Sequence, residues 1–153
     1  MIKRNISIFL CLPALLLLSL FTLSCQKSYS ENEISGAIEK GNMLVERIEA
    51  YYQKEGRYPL YLEDLVPKYI PNIPKTGINP GKEELEFYYH YVSGGKAKYE
   101  LFFFVEDLTL GTKTAKRCTY NSTGKYPSSE SVKTERMIKN WAIQTQYRNY
   151  WKK

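Results

Sequence analysis

The sequence predicts a small α+β domain in which one N-terminal amphipathic helix packs on a small antiparallel sheet. Three observations support this fold class. Apolar side chains recur at steps of three and four between residues 31 and 54, which is the period of one helix face. Apolar side chains alternate over residues 85–92 and again over 98–105, with a glycine-rich turn between them, which predicts a β-hairpin. Proline and glycine residues separate the two patterns and indicate a loop.

The helical pattern has signals at both ends. Ser30 and Glu33 have the spacing of a capping box, in which each residue satisfies the backbone N–H of the other. Gly56 is a suitable end, because glycine adopts the left-handed conformation at little steric cost. Gly36 and Gly41 each weaken a helix by about 1 kcal/mol relative to alanine, and we expect them to allow close packing on the sheet. The predicted buried face consists of Ile34, Ala37, Ile38, Gly41, Leu44, Val45, Ile48, Tyr51 and Tyr52.

Three further elements are predicted. A short helix at 62–66 ends at Pro67, and a third strand covers about 115–121. The segment 138–147 fits two patterns. A strand explains the alternation of Trp141, Ile143, Thr145 and Tyr147, whereas a helix explains the spacing of Met137, Ile138, Trp141 and Ala142. We expect a strand there.

The first residues have the layout of an export signal. Lys3 and Arg4 give a basic start, an apolar run of 18 residues covers positions 6–23, and Ser24 is a small residue before Cys25. This arrangement resembles a bacterial lipoprotein signal peptide with its lipobox at Cys25. The resemblance implies cleavage before Cys25, acylation of that cysteine, and a mature chain anchored in the cell envelope through its acyl chains.

Gln26, the residue after the cysteine, indicates which membrane the anchor enters if the lipoprotein interpretation is right. Gln26 stands where an Asp favours retention in the inner membrane of enterobacteria, which implies the outer membrane, facing the periplasm. Two alternatives stay open: a signal peptide cleaved without lipidation, and an uncleaved anchor, for which an apolar run containing Pro13 is borderline in length.

The predicted divisions of the chain are a signal peptide at 1–24, an acylated cysteine and tether at 25–30, a domain at 31–125 and a basic aromatic C-terminal extension at 126–153. The extension is expected to add a strand.

Charge is unevenly distributed along the mature sequence. Residues 26–106 carry ten basic and thirteen acidic side chains, whereas residues 107–153 carry ten basic and three acidic ones, a net charge of +7. A basic region of this kind attracts anionic lipids, envelope glycans or nucleic acid. The predicted export argues against a nucleic-acid partner. A solvated basic surface is the plainer alternative.

The sequence predicts a non-enzymatic protein, with no catalytic constellation, no cofactor and no metal site. His90 is the single histidine and stands in a strand among tyrosines. An envelope enzyme that uses His90 remains a third hypothesis. Cys118 is the one cysteine left after the signal peptide and Cys25, so no intramolecular disulfide is expected. We interpret Cys118 as a small buried apolar residue, with a disulfide between chains as the alternative.

Residues 34–105 contain a series of motifs: a helix, a Gly-x-Tyr-Pro turn, a short leucine-containing helix, a proline-rich loop and a tyrosine-rich hairpin. They are carried by Tyr51-Tyr52, Gly56-Arg57-Tyr58-Pro59, Leu62, Leu65, Tyr69-Ile70-Pro71, Ile73-Pro74, Tyr88, Tyr89, Tyr91, Tyr99 and Leu101. This series resembles the globular part of type II secretion pseudopilins and implies a pilin-like domain. The pilus-core helix and the acidic calcium-binding loop of that family have no counterpart here, so the resemblance implies neither filament assembly nor calcium binding.

Tyrosine is abundant, with 14 residues, and its apolar ring with a polar tip suits interfaces. Aromatic and basic residues stand close together in the C-terminal half. There we predict a partner-binding surface formed by Tyr126, Trp141, Tyr147, Arg148, Tyr150 and Trp151. The predicted function is that of a membrane-anchored lipoprotein that binds or supports another envelope component, with a protein as the expected partner. The alternative is a module that binds envelope glycan or lipopolysaccharide through its basic C-terminal half.

Overall fold

The computed structural model describes residues 29–79, 81, 83–93, 98–105, 114–126, 129 and 131–147. In these ranges the chain forms one α-helix, one short 3₁₀ helix and five strands. Their bounds are Glu31–Glu55 for α1, Leu62–Leu65 for the 3₁₀ helix, Tyr88–Tyr91 for β1, Tyr99–Phe104 for β2, Thr114–Asn121 for β3, Val132–Ile138 for β4 and Trp141–Tyr147 for β5. The predicted signal peptide, Cys25 with its lipobox, and the predicted binding residues Arg148, Tyr150 and Trp151 lie outside the described residues.

The five strands form one antiparallel sheet in the order β1-β2-β3-β5-β4, and α1 packs on one of its faces. The predicted α+β class is therefore confirmed. The prediction of an N-terminal helix is corrected, because α1 occupies residues 31–55 rather than the start of the chain. The core between helix and sheet includes Ala37, Leu44 and Ile48 from α1 and Tyr99, Leu101, Phe103, Cys118, Trp141 and Ile143 from the strands.

The ends of α1 match the sequence prediction. Ser30 Oγ accepts from the backbone N–H of Glu33 at 3.3 Å, and the Glu33 carboxylate accepts from the backbone N–H of Ser30 at 2.8 Å. Gly56 follows the helix with a φ of 70°, in the left-handed region. The buried residues of α1 are Ile34, Ala37, Ile38, Gly41, Leu44, Ile48 and Tyr51. No helix in the described part of the chain is both long enough and apolar enough to cross a membrane.

The β1–β2 hairpin is shorter than predicted at its start. The N–H of Leu85 donates to Ile78 O at 2.8 Å, and the N–H of Thr76 donates to Leu85 O at 3.0 Å. The beginning of the predicted strand 85–92 therefore pairs with the preceding loop, and β1 begins at Tyr88. The 3₁₀ helix, β2 and β3 each match their predicted elements to within one residue at either end.

The C-terminal part of the chain contributes two strands. β5 confirms the strand predicted in the segment 138–147, and it lies between β3 and β4. β4 is absent from the sequence prediction, because four of its seven side chains are exposed and a bulge between Thr134 and Arg136 interrupts the alternation. The segment interpreted as a C-terminal extension thus contains two strands of the same sheet as the hairpin.

Candidate binding site: the tyrosine cleft

A cleft of about 300 Å³ opens between the C-terminal end of α1 and the β1–β2 hairpin. We call it the tyrosine cleft. Its lining residues are Tyr52, Gly56, Arg57, Tyr58, Tyr91, Val92 and Lys98. Three tyrosines and two basic side chains from three separate segments of the chain therefore line one cleft.

The Gly56 turn builds one wall of the cleft. Because Gly56 ends α1 in the left-handed conformation, the chain reverses and brings Tyr58 back onto the last turns of the helix. The Tyr58 ring stacks on the Tyr52 ring, with centroids 4.3 Å apart and an interplanar angle of 11°. Pro59 is buried directly after this turn. The wall is therefore a rigid pair of aromatic rings rather than two independent side chains.

Tyr58, in the wall of the cleft, shares the Glu49 carboxylate with the buried Tyr99. Tyr58 Oη donates to Glu49 Oε2 at 3.1 Å, and Tyr99 Oη donates to Glu49 Oε1 at 2.9 Å. Burial raises the pKa of both tyrosines, and the neighbouring Glu49 carboxylate adds to the rise. Both phenols thus stay protonated at neutral pH and keep their hydrogen bonds to Glu49.

Two cations border the aromatic wall. Lys98 Nζ lies 5.0 Å from the Tyr52 ring centroid and 5.3 Å from the Tyr58 ring centroid, a cation–π arrangement with both rings. Arg57 is exposed at the rim, and no ion pair joins it to another described residue. A ligand with an acidic group and a flat apolar part fits this combination, because the cations attract the charge and the rings offer contact area.

The described residues contain no cluster of histidine, cysteine or carboxylate side chains that could hold a metal ion. His90 is exposed on the sheet face opposite α1, where its strand neighbour on β2 is Glu100. Cys118 is fully buried, and burial raises the pKa of its thiol to about 12. Cys118 therefore has the inert character expected of a small apolar core residue.

Tyr126, one of the predicted binding residues, hydrogen-bonds the end of β3 to the turn before β5. Its hydroxyl accepts from the backbone N–H of Asn121 at 3.1 Å and donates to the backbone carbonyl of Asn140. Its side chain is half-buried, and burial raises its pKa. The contacts of Tyr126 therefore explain it as a structural residue at one end of β5.

Trp141 and Tyr147 lie at opposite ends of β5. Trp141 is completely buried under α1, so its side chain is not accessible to a partner in this fold. Tyr147 is 38% exposed at the far end of the same strand. At about 3.3 Å per residue, this places Tyr147 roughly 20 Å from the Tyr126 loop. The structure does not bring the described members of the predicted surface together.

Among the described residues, three of the ten basic side chains in residues 107–153 pair with carboxylates of other elements. Lys116 Nζ lies 3.6 Å from Glu135 Oε2, and an Arg117 nitrogen lies 3.7 Å from Glu100 Oε2. Arg136 pairs with Glu31 at the start of α1. The Arg117 and Arg136 pairs therefore balance part of the +7 charge of this region with carboxylates of β2 and α1, whereas Glu135 is already counted in that charge.

The tyrosine cleft is not predicted from the sequence. Gly56 and Tyr58 stand in the Gly-x-Tyr-Pro turn, and a turn of this kind gives no reason to expect a ligand. Lys98 lies directly before β2, 40 residues after Tyr58 in the chain. Its position over two tyrosine rings depends on how the hairpin docks on α1, which no local pattern specifies.

Comparisons with protein-family models, with curated proteins and with solved structures found no match to this chain.

Proposed function

We propose that this protein is a lipid-anchored, non-enzymatic component of the bacterial cell envelope that binds another envelope protein through the tyrosine cleft. The observation that carries the proposal is the placement of Arg57 and Lys98 around the stacked rings of Tyr52 and Tyr58. Aromatic side chains and arginine are enriched at the energetically important centres of protein interfaces. The cleft supplies both in a small concave space.

The chemistry of the cleft favours an acidic partner. Lys98 is already oriented by its two cation–π contacts, so little side-chain freedom is lost when it receives a carboxylate. Arg57 offers a planar set of donors suited to a bidentate carboxylate contact. Glu49 does not oppose such a group strongly, because it does not line the cleft and its carboxylate accepts hydrogen bonds from Tyr58 and Tyr99.

The location and the finer fold are part of the same proposal. The lipobox-like segment ending at Cys25 supports acylation of that cysteine and anchoring in the outer membrane, facing the periplasm. The order of helix, Gly56–Pro59 turn and tyrosine-rich hairpin supports a pilin-like domain. Neither statement is needed for the chemistry of the cleft, which depends on the described residues alone.

A position-specific photo-crosslink in the bacterium that makes the protein tests this function. The full-length chain would carry a benzophenone amino acid in place of Arg57, and a control chain would carry it in place of Arg47, which is exposed on α1 away from the cleft. We expect one discrete protein adduct from position 57 and none from position 47. Adducts with lipopolysaccharide or glycan alone would overturn the protein partner and favour the glycan-binding alternative.

Mass spectrometry of the same purified protein tests the anchor. An N-terminal peptide that begins at an acylated Cys25 is the expected result. An unmodified N-terminus, or retention of residues 1–24, would overturn the proposed lipid anchor.

Charge reversal tests the role of the cleft. Arg57→Glu should abolish the crosslink of a benzophenone placed at the neighbouring exposed position Gln53, whereas Arg47→Glu should leave it unchanged. Equal crosslinking in the two variants would show that Arg57 has no part in binding.

A further inference from the structure

We propose that the partner binds as an added β-strand along the free edge of β1, with one carboxylate of that strand in the tyrosine cleft. The inference rests on the proposed function and specifies the partner: an extended protein segment with acidic side chains on one face. In this mode of recognition the backbone supplies hydrogen bonds, and pockets beside the edge select the side chains.

The backbone groups of β1 that face away from β2 can be identified from the register. Val92 N–H donates to Lys98 O at 3.1 Å, and His90 is the cross-strand partner of Glu100. Because hydrogen-bonded and non-hydrogen-bonded pairs alternate in an antiparallel ladder, the N–H and C=O groups of Tyr89 and Tyr91 face the open edge. No backbone hydrogen bond joins Tyr89 or Tyr91 to a described residue on that side.

The two edges of the sheet differ in how they are protected. β4, at one edge, has a bulge between Thr134 and Arg136 and three charged side chains in its sequence. Bulges and charges are the usual means by which edge strands avoid pairing with other chains. β1, at the other edge, has the sequence Tyr-Tyr-His-Tyr. It contains no aspartate, glutamate, lysine or arginine, and its pairing with β2 has no bulge. Its short length limits the ladder to a few hydrogen bonds, which suits a reversible interaction.

The tyrosine cleft lies in line with this edge. Tyr91 is the last residue of β1, and its side chain lines the cleft beside Tyr58. A residue of an added strand directly opposite Tyr91 would place its own side chain on the same face of the sheet. That side chain then enters the cleft within reach of Arg57 and Lys98. Charge complementarity therefore selects a glutamate or aspartate at this position.

The other face of the edge offers apolar contact. Tyr88 is 46% exposed and stacks on Phe102, with ring centroids 5.4 Å apart, and it also contacts the ring of Phe104. This face is opposite α1, so the side chains of an added strand that alternate with the acidic ones would lie against an aromatic surface. The edge thus favours a strand that is acidic on one face and apolar on the other.

Amide exchange in the folded protein tests the inference directly. The probe is an eight-residue peptide of alternating valine and glutamate, blocked at both ends, and the controls are the same peptide with lysine in place of glutamate and the small dicarboxylate glutarate. We expect the valine–glutamate peptide to slow exchange of the Tyr89 and Tyr91 amides at least tenfold. Glutarate should shift the resonances of Arg57 and Lys98 without slowing those two amides, and the lysine peptide should do neither.

The outcomes separate the inference from the proposed function. Shifts at Arg57 and Lys98 without protection of Tyr89 and Tyr91 would overturn strand addition and leave acidic binding in the cleft intact. No response to either acidic ligand would count against both proposals. Protection that appears without peptide and grows with protein concentration would identify a second copy of this chain as the occupant and overturn an acidic partner segment.

A matched pair of variants gives an independent test. Tyr91→Ala and Tyr91→Pro both remove the tyrosine ring, but only proline also removes the N–H that faces the open edge. We expect Tyr91→Pro to bind the valine–glutamate peptide about fivefold to tenfold more weakly than Tyr91→Ala, which is the effect of one backbone hydrogen bond. Equal affinities of the two variants, with unchanged amide spectra in β2 and β3, would overturn strand addition.

Discussion

The indole ring of Trp141 lies directly against Gly41 of α1. A Cβ atom at Gly41 would be 2.6 Å from two carbons of that ring, closer than any real contact. The indole N–H also donates to Oδ1 of the next helix residue, Asn42, at 2.8 Å, and the ring is fully buried. The glycine and the hydrogen bond together fix the distance between the helix and β5.

Gly41→Ala should therefore destabilise the protein, although alanine is the better helix former. Alanine contributes about 1 kcal/mol through helix propensity, whereas forcing a methyl group into a well-packed core costs about 1 to 3 kcal/mol. The Trp141 ring is held by its hydrogen bond and cannot move aside freely. We expect a net loss of up to about 2 kcal/mol in the free energy of unfolding, measured by urea denaturation.

Gly36→Ala is the matched control. Gly36 is an exposed residue of the same helix, and a Cβ there would meet nothing within 4 Å. The propensity gain is then unopposed, and we expect stabilisation by about 1 kcal/mol. Loss of stability in Gly36→Ala, or a gain in Gly41→Ala, would show that helix propensity does not explain the difference between the two sites.

These two glycines also show what the sequence could predict. The periodicity, the capping box and Gly56 were sufficient for α1, because all three act within a few residues. The same sequence reasoning expects close packing at both Gly36 and Gly41. It is confirmed at Gly41 and wrong at Gly36, because the position of each glycine relative to the sheet is a tertiary property.

The strands also differ in whether their local sequence is sufficient to predict them. β2 and β3 have alternating or apolar patterns and are predicted to within one residue. β4 has an exposed, charged sequence with a bulge. Its pairing with β5 therefore depends on the short connection between these two strands rather than on an alternating pattern in its own residues. The described members of the predicted binding surface, Tyr126, Trp141 and Tyr147, lie apart from one another for a related reason. Closeness in sequence does not place side chains together when they lie along a strand seven residues long.

Tyr99 predicts how stability responds to alkaline pH. Its side chain is fully buried, and burial together with Glu49 raises the pKa of its phenol. Above about pH 10 the unfolded state loses a proton that the folded state keeps, so the stability present below that pH decreases as pH rises. Each such tyrosine contributes a slope of about 1.4 kcal/mol per pH unit.

Tyr99→Phe should therefore make the loss of stability between pH 10 and 11.5 shallower by about 1.4 kcal/mol per pH unit. At neutral pH the same variant loses about 1.5 to 2 kcal/mol, because Glu49 loses a donor. Urea denaturation at a series of pH values measures both effects. Tyr61→Phe, at a side chain that is 67% exposed, is the control and should leave the slope unchanged. Identical slopes in Tyr99→Phe and the unmodified protein would contradict the assigned role of Tyr99.

The burial of Cys118 predicts that its thiol reacts only after the protein unfolds. With a pKa of about 12, roughly one thiol in ten thousand is ionised at pH 8, and the side chain is completely buried. We expect no labelling of Cys118 by iodoacetamide in the native protein and complete labelling in 8 M urea, measured by mass spectrometry of the peptide that contains it. Native labelling at the rate of an exposed thiol would show that β3 opens or that Cys118 is accessible.

Thr119 and Thr145 provide a last test, because they have opposite hydrogen-bonding situations in neighbouring strands. Thr119 is 1% exposed, and its hydroxyl has no hydrogen-bond partner among the residues that the structure describes. Thr145 is 7% exposed, and its hydroxyl donates to Glu135 Oε1 at 2.6 Å. Valine has nearly the same shape as threonine and prefers strands equally well, so Thr→Val removes mainly the hydroxyl.

Thr119→Val should stabilise the protein by about 1 kcal/mol, because it removes a buried polar group that has no partner among the described residues. Thr145→Val should destabilise it by about 1 kcal/mol, since the Glu135 carboxylate loses a donor but stays partly hydrated and keeps its ion pair with Lys116. Thermal and urea denaturation of the two variants would measure the pair. A loss of stability in Thr119→Val as large as that in Thr145→Val would mean that the Thr119 hydroxyl is hydrogen-bonded in solution, and that a polar group covers this part of the sheet face opposite α1.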